Sequence, residues 1–170
     1  MTKTKKASES FTMMTNIVLP NETNSLGNLF GGELLARMDR AASISATRHS
    51  ERRVVTASVN HVSFNHPIPG GSIVIVESKV SRAFSTSMEI YCDVWLDDPI
   101  QGKKIHTNEG IYTFVAVDEF NKPVPIPEME PETEQEKERY AAALRRKELS
   151  LILSRRMKPE ESIELKKLFL

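Results

Sequence analysis

One helical pattern followed by an unbroken series of strand patterns is the feature that most limits the fold of this chain. Apolar residues recur at helical spacing from about Phe30 to Arg48, and after residue 53 the pattern changes to long β-rich segments separated by short breaks. Parallel strands would need a crossover helix between them, and the later segments have none. The pattern therefore predicts an α+β fold in which an antiparallel sheet wraps around one central helix.

Five segments of the chain carry strand signals. The fourth alternates cleanly, because Met88 and every second residue to Leu96 are apolar, whereas the residues between them are polar or aromatic. This alternation predicts a sheet with one buried face and one face that is at least partly exposed. The five segments are Phe11–Pro20, Val54–Phe64, Ser72–Phe84, 85–98 and Lys104–Asp118.

The two ends of the chain differ in composition from its middle. Four prolines within residues 121–135 mark a boundary after the last strand, and Thr133 with Glu136 fits a capping box that opens a long charged helix. A short final helix is predicted near Pro159. The first ten residues are basic and polar, which we interpret as a loose arm rather than a signal peptide. The predicted organisation is a flexible arm (1–10), one domain (11–126) and a C-terminal helical extension (127–170).

Composition excludes several classes of protein. The formal net charge is zero, which argues against a nucleic-acid surface. The single cysteine, Cys92, cannot form an internal disulfide and fits a reducing compartment. No apolar run approaches the roughly 20 residues that cross a bilayer. We therefore expect a cytoplasmic protein with no nucleic-acid or membrane partner.

Two adjacent glycines stand at the start of the predicted central helix. The first amides of a helix lack intrahelical partners and carry the positive end of its dipole. Because Gly31 and Gly32 have no Cβ, a substrate carbonyl oxygen can approach those amides closely. The alternative is that the glycines only permit tight packing of the helix on the sheet.

One acid, Asp39, lies on the same helix among apolar and small residues. None of its neighbours at helical spacing is cationic, so no local salt bridge explains it. Such a carboxylate can have a raised pKa and act as a general base. The alternative is that Asp39 pairs across the sheet with Arg52 or Arg53.

The spacing of these two features predicts a dimer. Gly32 and Asp39 are seven residues apart, which is about 10 Å along one stripe of a helix and too far for both to act on one carbonyl. Two such helices packed antiparallel about a twofold axis would bring Gly32 of one chain to Asp39 of the other. Asn28, just before the glycines, could then supply an amide that orients water or the carbonyl.

Other reactive side chains show no pattern typical of catalysis. His49, His61, His66 and His106 are isolated in sequence, and no two of them have metal-ligand spacing on one element. We therefore expect no metal site. Cys92 lies on the apolar side of its strand, and no serine occupies a G-x-S-x-G turn.

Four separated blocks within about residues 12–145 are informative together: "NETNSLGNLFGGELLARMD", "VVTASVNHVSF", "STSMEIYCDVW" and "TFVAVDEFNKPVPIPEMEPETEQEKERY". They resemble the hotdog-fold acyl-CoA thioesterases, in the branch of the YciA-like enzymes and cytosolic acyl-CoA hydrolases. The resemblance implies a five- or six-stranded antiparallel sheet around the helix and edge-to-edge dimers that often form hexamers. It also implies an entrance at Asn28, Gly31 and Gly32 and a catalytic Asp39.

The resemblance also implies contacts to the CoA part of the substrate. The turn "SRAFSTS" is similar to the family segment that runs beside the pantetheine and phosphates, although a solvated hairpin turn is an equal alternative. Asn60 and His61 are candidates for the acyl or pantetheine channel, and Arg155 or Arg156 could reach a phosphate. No cofactor is expected, since CoA enters with the substrate. The candidates in the turn are Arg82, Ser85, Thr86 and Ser87.

The expected function is hydrolysis of fatty acyl-CoA, with Asp39 acting either as general base or as nucleophile. One alternative is a hotdog hydratase or dehydratase. That chemistry needs a histidine paired with a carboxylate near the helix, but the helix has no histidine before His49 on its last turn. The other is an acyl-CoA-binding sensor without catalysis. The presence of both Asn28 and Asp39 argues against the sensor.

Overall fold

The computed structural model describes residues 4–168, which form seven strands and two long helices. The helices are α1 (Gly31–Ser50) and α2 (Glu134–Leu153). The strands are β1 (Thr4–Lys6), β2 (Thr12–Ile17), β3 (Arg53–Phe64), β4 (Ile73–Ala83), β5 (Ser87–Asp98), β6 (Lys103–Val117) and β7 (Glu128–Glu130).

The main sheet has five strands in the order β2-β4-β5-β6-β3, and every neighbouring pair is antiparallel. Short turns join β4 to β5 and β5 to β6, as their sequence separation requires. Strand β3 is one edge of the sheet, and most of its residues are exposed. The predicted α+β architecture, with a sheet around one central helix, is confirmed.

Helix α1 packs on the inner face of this sheet and forms the core with it. The alternation in β5 is confirmed, because Met88, Ile90, Cys92 and Val94 are completely buried. A Cβ at Gly110 of β6 would lie 2.2 Å from Cε of Met38 in α1, so the end of the methionine side chain would have to move. The Met38 side chain therefore fills the space that the glycine leaves between α1 and β6.

The burial of residues in and beside α1 differs from the helical pattern in two places. Phe30, which the helical pattern places on the buried stripe, is 54% exposed and serves as the N-cap residue. Arg37 lies four residues after Glu33 on the helix, but it is buried and forms a salt bridge of 2.7 Å with Glu22 instead. The buried guanidinium pairs with Glu22 of the preceding loop, because an exposed ion pair with Glu33 would add little to the stability of the fold.

Residues 4–10, predicted as part of a flexible arm, pack against the rest of the chain. Strand β1 pairs in parallel with β7, and Ala7 and Ser10 are fully buried. Lys5 is also buried, where its Nζ donates to the carbonyl oxygen of Arg48 at 2.8 Å and lies 2.7 Å from Glu51. Strand pairing and the salt bridge of Lys5 therefore hold this polar segment in place. Residues 1–3 lie outside the described range.

Helix α2 lies on the outer face of the sheet and is held there by ion pairs. Lys79–Glu136, Arg139–Asp93 and Arg146–Glu89 join it to β4 and β5 at 2.7 to 2.8 Å. The predicted capping box is confirmed, since Glu136 N donates to Thr133 Oγ1 and Thr133 N donates back to the Glu136 carboxylate. In place of the predicted final helix the chain has two 3-10 turns, Pro159–Glu161 and Lys166–Leu168.

Candidate active site

The start of α1 is open to solvent at one glycine and packed at the other. No side chain caps the helix, and its first internal bond runs from Leu34 N to the carbonyl oxygen of Phe30. A Cβ at Gly32 would have no atom within 4 Å, whereas one at Gly31 would lie 3.3 Å from the Phe64 ring. Gly31 therefore permits packing, as the alternative for the glycine pair predicts, whereas Gly32 leaves open space beside the start of the helix.

Asp39 lies two turns further along the same helix and is half-buried. Thr56 Oγ1 of β3 donates a hydrogen bond of 2.9 Å to its Oδ1. Within the described residues, neither Arg52 nor Arg53 forms a salt bridge with Asp39, so the predicted alternative of a cross-sheet ion pair is not what the structure has. Among the described residues, the Thr56 hydroxyl is the hydrogen-bond donor to this carboxylate, whose other lone pairs are available as acceptors.

The loop before α1 is organised by Asn24, which the sequence analysis did not single out. Its Oδ1 accepts hydrogen bonds from Leu26 N at 2.9 Å and from Asn28 N at 3.2 Å. Its backbone N donates to the carbonyl oxygen of Asn28 at 2.8 Å. These bonds fix the amide oxygen, so the NH2 group points away from the turn; no acceptor among residues 4–168 pairs with it. The signal in the sequence is Asn-x-x-Gly, which is typical of an Asx turn.

Asn28, the predicted site asparagine, lies in the same turn and is half-buried. Its backbone bridges to Pro69 as well as to Asn24, so the loop that carries it is fixed on both sides. The structure thus brings Asn24 and Asn28 to the start of α1 together.

A buried ion pair ties this loop to α1. Arg37 donates to Glu22 at 2.7 Å and to the carbonyl oxygen of Ile17 at 3.2 Å. The backbone N–H of Leu19 and the guanidinium of Arg37 hold the pKa of the Glu22 carboxyl below its ordinary value. Phe30 N also donates to the Glu22 carbonyl oxygen at 2.9 Å. The entrance to α1 therefore has a fixed shape.

The predicted CoA contacts fall into two separate groups. Asn60 and His61 lie on the exposed edge strand β3, at a bulge where His61 adopts a left-handed backbone with φ of 44°. The turn that contains Ser85, Thr86 and Ser87 lies at the opposite end of α1. Its Ser85 carbonyl oxygen accepts a hydrogen bond from Ile126 N, and the next residue, Pro127, is hydrogen-bonded to His49 in the last turn of α1.

Arg82, at the base of that turn, is covered by α2. Its guanidinium stacks on the Tyr140 ring at 4.0 Å and donates to the Tyr140 carbonyl oxygen at 3.0 Å. Arg155 and Arg156 follow α2 as an exposed turn, where Arg156 Nε donates to Ser154 Oγ. Within residues 4–168, neither arginine forms a hydrogen bond with the hairpin turn.

One group of side chains on the outer face has the spacing of metal ligands. Donor atoms of Asp93, His106 and Glu109 lie within 4.8 Å of one another. Arg139 already holds both oxygens of Asp93, at 2.8 and 2.9 Å, and the Tyr91 hydroxyl donates to Glu109 at 2.8 Å. A cation would have to compete with the guanidinium, so this cluster fits an ion-pair network better than a metal site.

Two comparisons of sequence decide the family. A family model described as the thioesterase superfamily matches residues 26–103. The chain is 39% identical over 124 residues to a Bacillus subtilis protein named as an uncharacterized acyl-CoA thioester hydrolase, YkhA, covering 73% of this chain and 72% of that protein. The chain belongs to the thioesterase superfamily.

Solved structures of this superfamily share the fold. An apo-hexameric acyl-CoA thioesterase superposes with a TM-score of 0.83 at 40% identity, over 86% of this chain and 94% of the other. An acyl-CoA hydrolase from Staphylococcus aureus, in complex with butyryl-CoA, CoA and CoA disulfide, gives 0.83 at 35% identity, over 96% and 99%. Three alanine variants of that hydrolase also match, each at 34% identity. The predicted hotdog fold and family are confirmed. Over residues 4–168, no helix has the length and apolar content needed to cross a membrane.

Proposed function

We propose that this protein is an acyl-CoA thioesterase that hydrolyses fatty acyl-CoA to a free acid and CoA. The observation that carries the proposal is the combination, on one helix, of an uncapped N-terminus at Gly32 and a half-buried acid, Asp39, held by a single hydroxyl. The names of the relatives, which are acyl-CoA hydrolases, support the same reaction.

Asp39 is the group that activates the attack. As a general base it takes a proton from water while the water oxygen bonds to the thioester carbon, and the CoA thiolate then leaves as the carbonyl re-forms. As a nucleophile it would itself bond to the carbon, the C–S bond would break with CoA leaving as thiolate, and water would then hydrolyse the resulting anhydride. Both routes need the carboxylate oriented, and the Thr56 hydroxyl does this in either case.

The backbone N–H of Gly32 donates to the thioester carbonyl oxygen, and the N–H of Gly31 is a second donor if the bound substrate reaches it. Negative charge develops on that oxygen as the carbon becomes tetrahedral, and helix N-terminal amides stabilise it. Loss of one such donor typically costs about 2.7–4 kcal/mol in the transition state.

The site is shared between two protomers, since about 10 Å of helix separates Gly32 from Asp39. The exposed edge strand β3 supports a homodimer, because it leaves Val55, Val59 and Phe64 about half exposed beside unpaired backbone groups. A hexamer, as named for one structural relative, would then be built from three such dimers.

Asn24 is the amide that orients water or the carbonyl, in preference to Asn28. The solved Staphylococcus aureus variants change an aspartate, the asparagine fifteen positions before it and the threonine seventeen positions after it. The same separations from Asp39 lead to Asn24 and Thr56 in this chain. The free NH2 group of Asn24 supports this assignment, and Asn28 is kept as the comparison residue.

The remaining contacts follow the shape of CoA. The turn residues Ser85, Thr86 and Ser87 offer hydroxyls to the diphosphate or pantetheine, and Asn60 and His61 line the acyl or pantetheine channel. The reaction as proposed needs no cofactor and no metal.

The test is release of free thiol from acyl-CoAs of graded chain length. We expect release by the wild type, near-complete loss in Asp39→Ala, and a larger loss in Asn24→Ala than in Asn28→Ala. Wild-type rates in Asp39→Ala would overturn the mechanism. If no acyl-CoA releases thiol but CoA binding is retained, the protein is the non-catalytic sensor instead.

A further inference from the structure

One polar side chain lies on the apolar inner face of the sheet, near the start of α1. Asn108 of β6 is directly opposite Phe64 of β3 and Val94 of β5 in the strand register. Residues directly opposite each other share a face of the sheet. Val94 is completely buried on the inner face, and the Phe64 ring packs on Gly31. Asn108 is therefore on the helix side of the sheet, beside the ring that supports the first turn of α1.

The described residues satisfy only half of this amide. Asn108 is completely buried, and its Nδ2 donates to the carbonyl oxygen of Ser63 at 3.1 Å. This bond fixes which way the amide is turned. Its Oδ1 is buried as well and accepts from no donor among residues 4–168. A buried acceptor is normally paired with the protein or with an ordered water, so this oxygen needs a donor.

The Nδ2 half of the amide acts on α1 through two neighbouring residues of β3. It holds the carbonyl oxygen of Ser63 just after the register of β3 against β6 shifts, between Asn60 and Ser63. The next residue is Phe64, whose ring contacts the helix at Gly31. A register shift leaves a strand locally irregular, so a side-chain hydrogen bond at this point helps to fix the ring against the helix.

The first turn of α1 has donors of the kind that a bound water needs. The backbone N–H groups of Gly31, Gly32 and Glu33 precede the first internal hydrogen bond of the helix, and no side chain caps them. A water that accepts from one of these amides and donates to Oδ1 of Asn108 would satisfy both groups. The other amides stay available for a substrate carbonyl.

We infer that Asn108 is a positioning residue for the first turn of α1, with Nδ2 fixing Phe64 against the helix and Oδ1 binding one buried water beside the first amides. The inference rests on the proposed function, in which these amides donate to the thioester oxygen. Donors that stabilise a developing negative charge act through their fixed direction. A looser first turn would therefore slow the reaction more than it weakens substrate binding. Asn108 acts through the helix and need not touch the substrate.

The experiment compares Asn108→Leu with Asn108→Ser and with a control, Thr107→Val. Leucine keeps the branched shape of the side chain but removes both polar groups, whereas serine is smaller and keeps a hydroxyl that can bind the water. Thr107 is the preceding residue, is also buried, and donates to the carbonyl oxygen of Val94 at 3.2 Å. Valine removes that bond and leaves the Asn108 amide in place.

Three measurements are made on these proteins. Thiol release from butyryl-CoA gives kcat and KM, and urea denaturation gives the stability of each variant. A high-resolution crystal structure of the wild type tests the water without any substitution.

We expect Asn108→Leu to lower kcat about tenfold, the effect of one hydrogen bond on a transition state, with KM nearly unchanged. Asn108→Ser should lose less. Thr107→Val should keep the wild-type kcat, although it loses stability. The crystal structure should show a water about 2.5–3.0 Å from Oδ1 of Asn108 and within hydrogen-bond distance of an amide in the first turn of α1.

A wild-type kcat in both Asn108 variants overturns the inference. An equal fall of kcat in Thr107→Val also overturns it, because the effect would then come from the packing of β6. A wild-type crystal structure with no ordered water at Oδ1 does the same. If Asn108→Leu does not fold, Asn108→Ser and the crystal structure decide. If the wild type releases no thiol from any acyl-CoA, the proposed function fails, while the crystal structure still tests the water.

Discussion

The two long helices have the same length, but the sheet holds them by different means. Helix α1 buries alanines, a leucine and a methionine against the inner face, whereas α2 buries only Ala143 and two acids against the outer one. The buried acids of α2 are compensated: Glu136 holds Lys79, and Glu148 accepts four hydrogen bonds from the backbone of residues 163–165. The half-buried acid of α1, Asp39, has one threonine hydroxyl.

This difference distinguishes the paired acids of α2 from Asp39, for which we propose a catalytic role. Burying a carboxylate costs stability unless it is paired, so pairing favours a structural role for an acid. The acid Glu89 of β5, which Arg146 of α2 covers, is paired in the same way. Removing an acid or its partner should therefore have opposite consequences beneath α2 and on α1. The predictions below test that contrast from the largest expected effect to the smallest.

Asp39→Asn should lower kcat for butyryl-CoA by about 10²–10⁴, the range for loss of an acid–base group. Its melting temperature should not fall, because asparagine keeps an acceptor for Thr56 and removes a half-buried charge. Steady-state kinetics and calorimetry check the two parts. A variant that loses stability together with activity would contradict the contrast.

Arg146→Met should lower the free energy of unfolding by about 3 kcal/mol, because the buried Glu89 loses its bidentate partner. The kcat should stay at its wild-type value. Urea denaturation gives the free energy, and the double variant Glu89→Gln/Arg146→Met should recover much of it. A loss below about 0.5 kcal/mol would class this pair with weak surface pairs.

Thr56→Val should lower kcat about tenfold, with a smaller change in KM, because Asp39 loses the hydroxyl that orients it. Thr56→Ser keeps the hydroxyl and should retain most of the activity. Equal losses in both variants would show that the methyl group, and not the hydrogen bond, is what matters. Thiol-release kinetics on the same substrate separate these outcomes.

His49 should make stability depend weakly on pH. Burial is the main cause that lowers the pKa of this imidazole below its ordinary value, with a smaller contribution from Lys5. The unfolded chain therefore binds the proton first, and stability falls as pH drops from about 6.5 towards the folded pKa, by at most about 1.4 kcal/mol per pH unit. Melting temperatures of wild type and His49→Gln across pH 5–8 should diverge only on the acidic side.

Local patterns were enough to predict most of the fold. The period of α1 and the alternation of β5 depend on residues near in sequence, so both elements were found within a few positions. The pairing of Thr4–Lys6 with Glu128–Glu130 was missed, because two three-residue strands carry no periodic signal and meet only in the folded chain.

The site was predicted less completely than the fold. The helix entrance and Asp39 stand out because glycines and an unpaired acid are unusual on a core helix. Thr56 lies on β3, whose register shifts after this residue and again after Asn60, so alternation alone does not tell which side chains face the helix. Asn24 was not predicted, because what distinguishes it is the pair of hydrogen bonds from the backbone N–H groups of Leu26 and Asn28, which only the folded loop shows.

The contact between Gly110 and Met38 couples two positions that lie far apart in the sequence. Any side chain at residue 110 must displace the methionine that immediately precedes Asp39. Natural variation at these two positions should therefore be correlated, with a larger residue at one accompanied by a smaller residue at the other. If Asp39 has the proposed role, a change at Gly110 alone should lower activity by moving Met38.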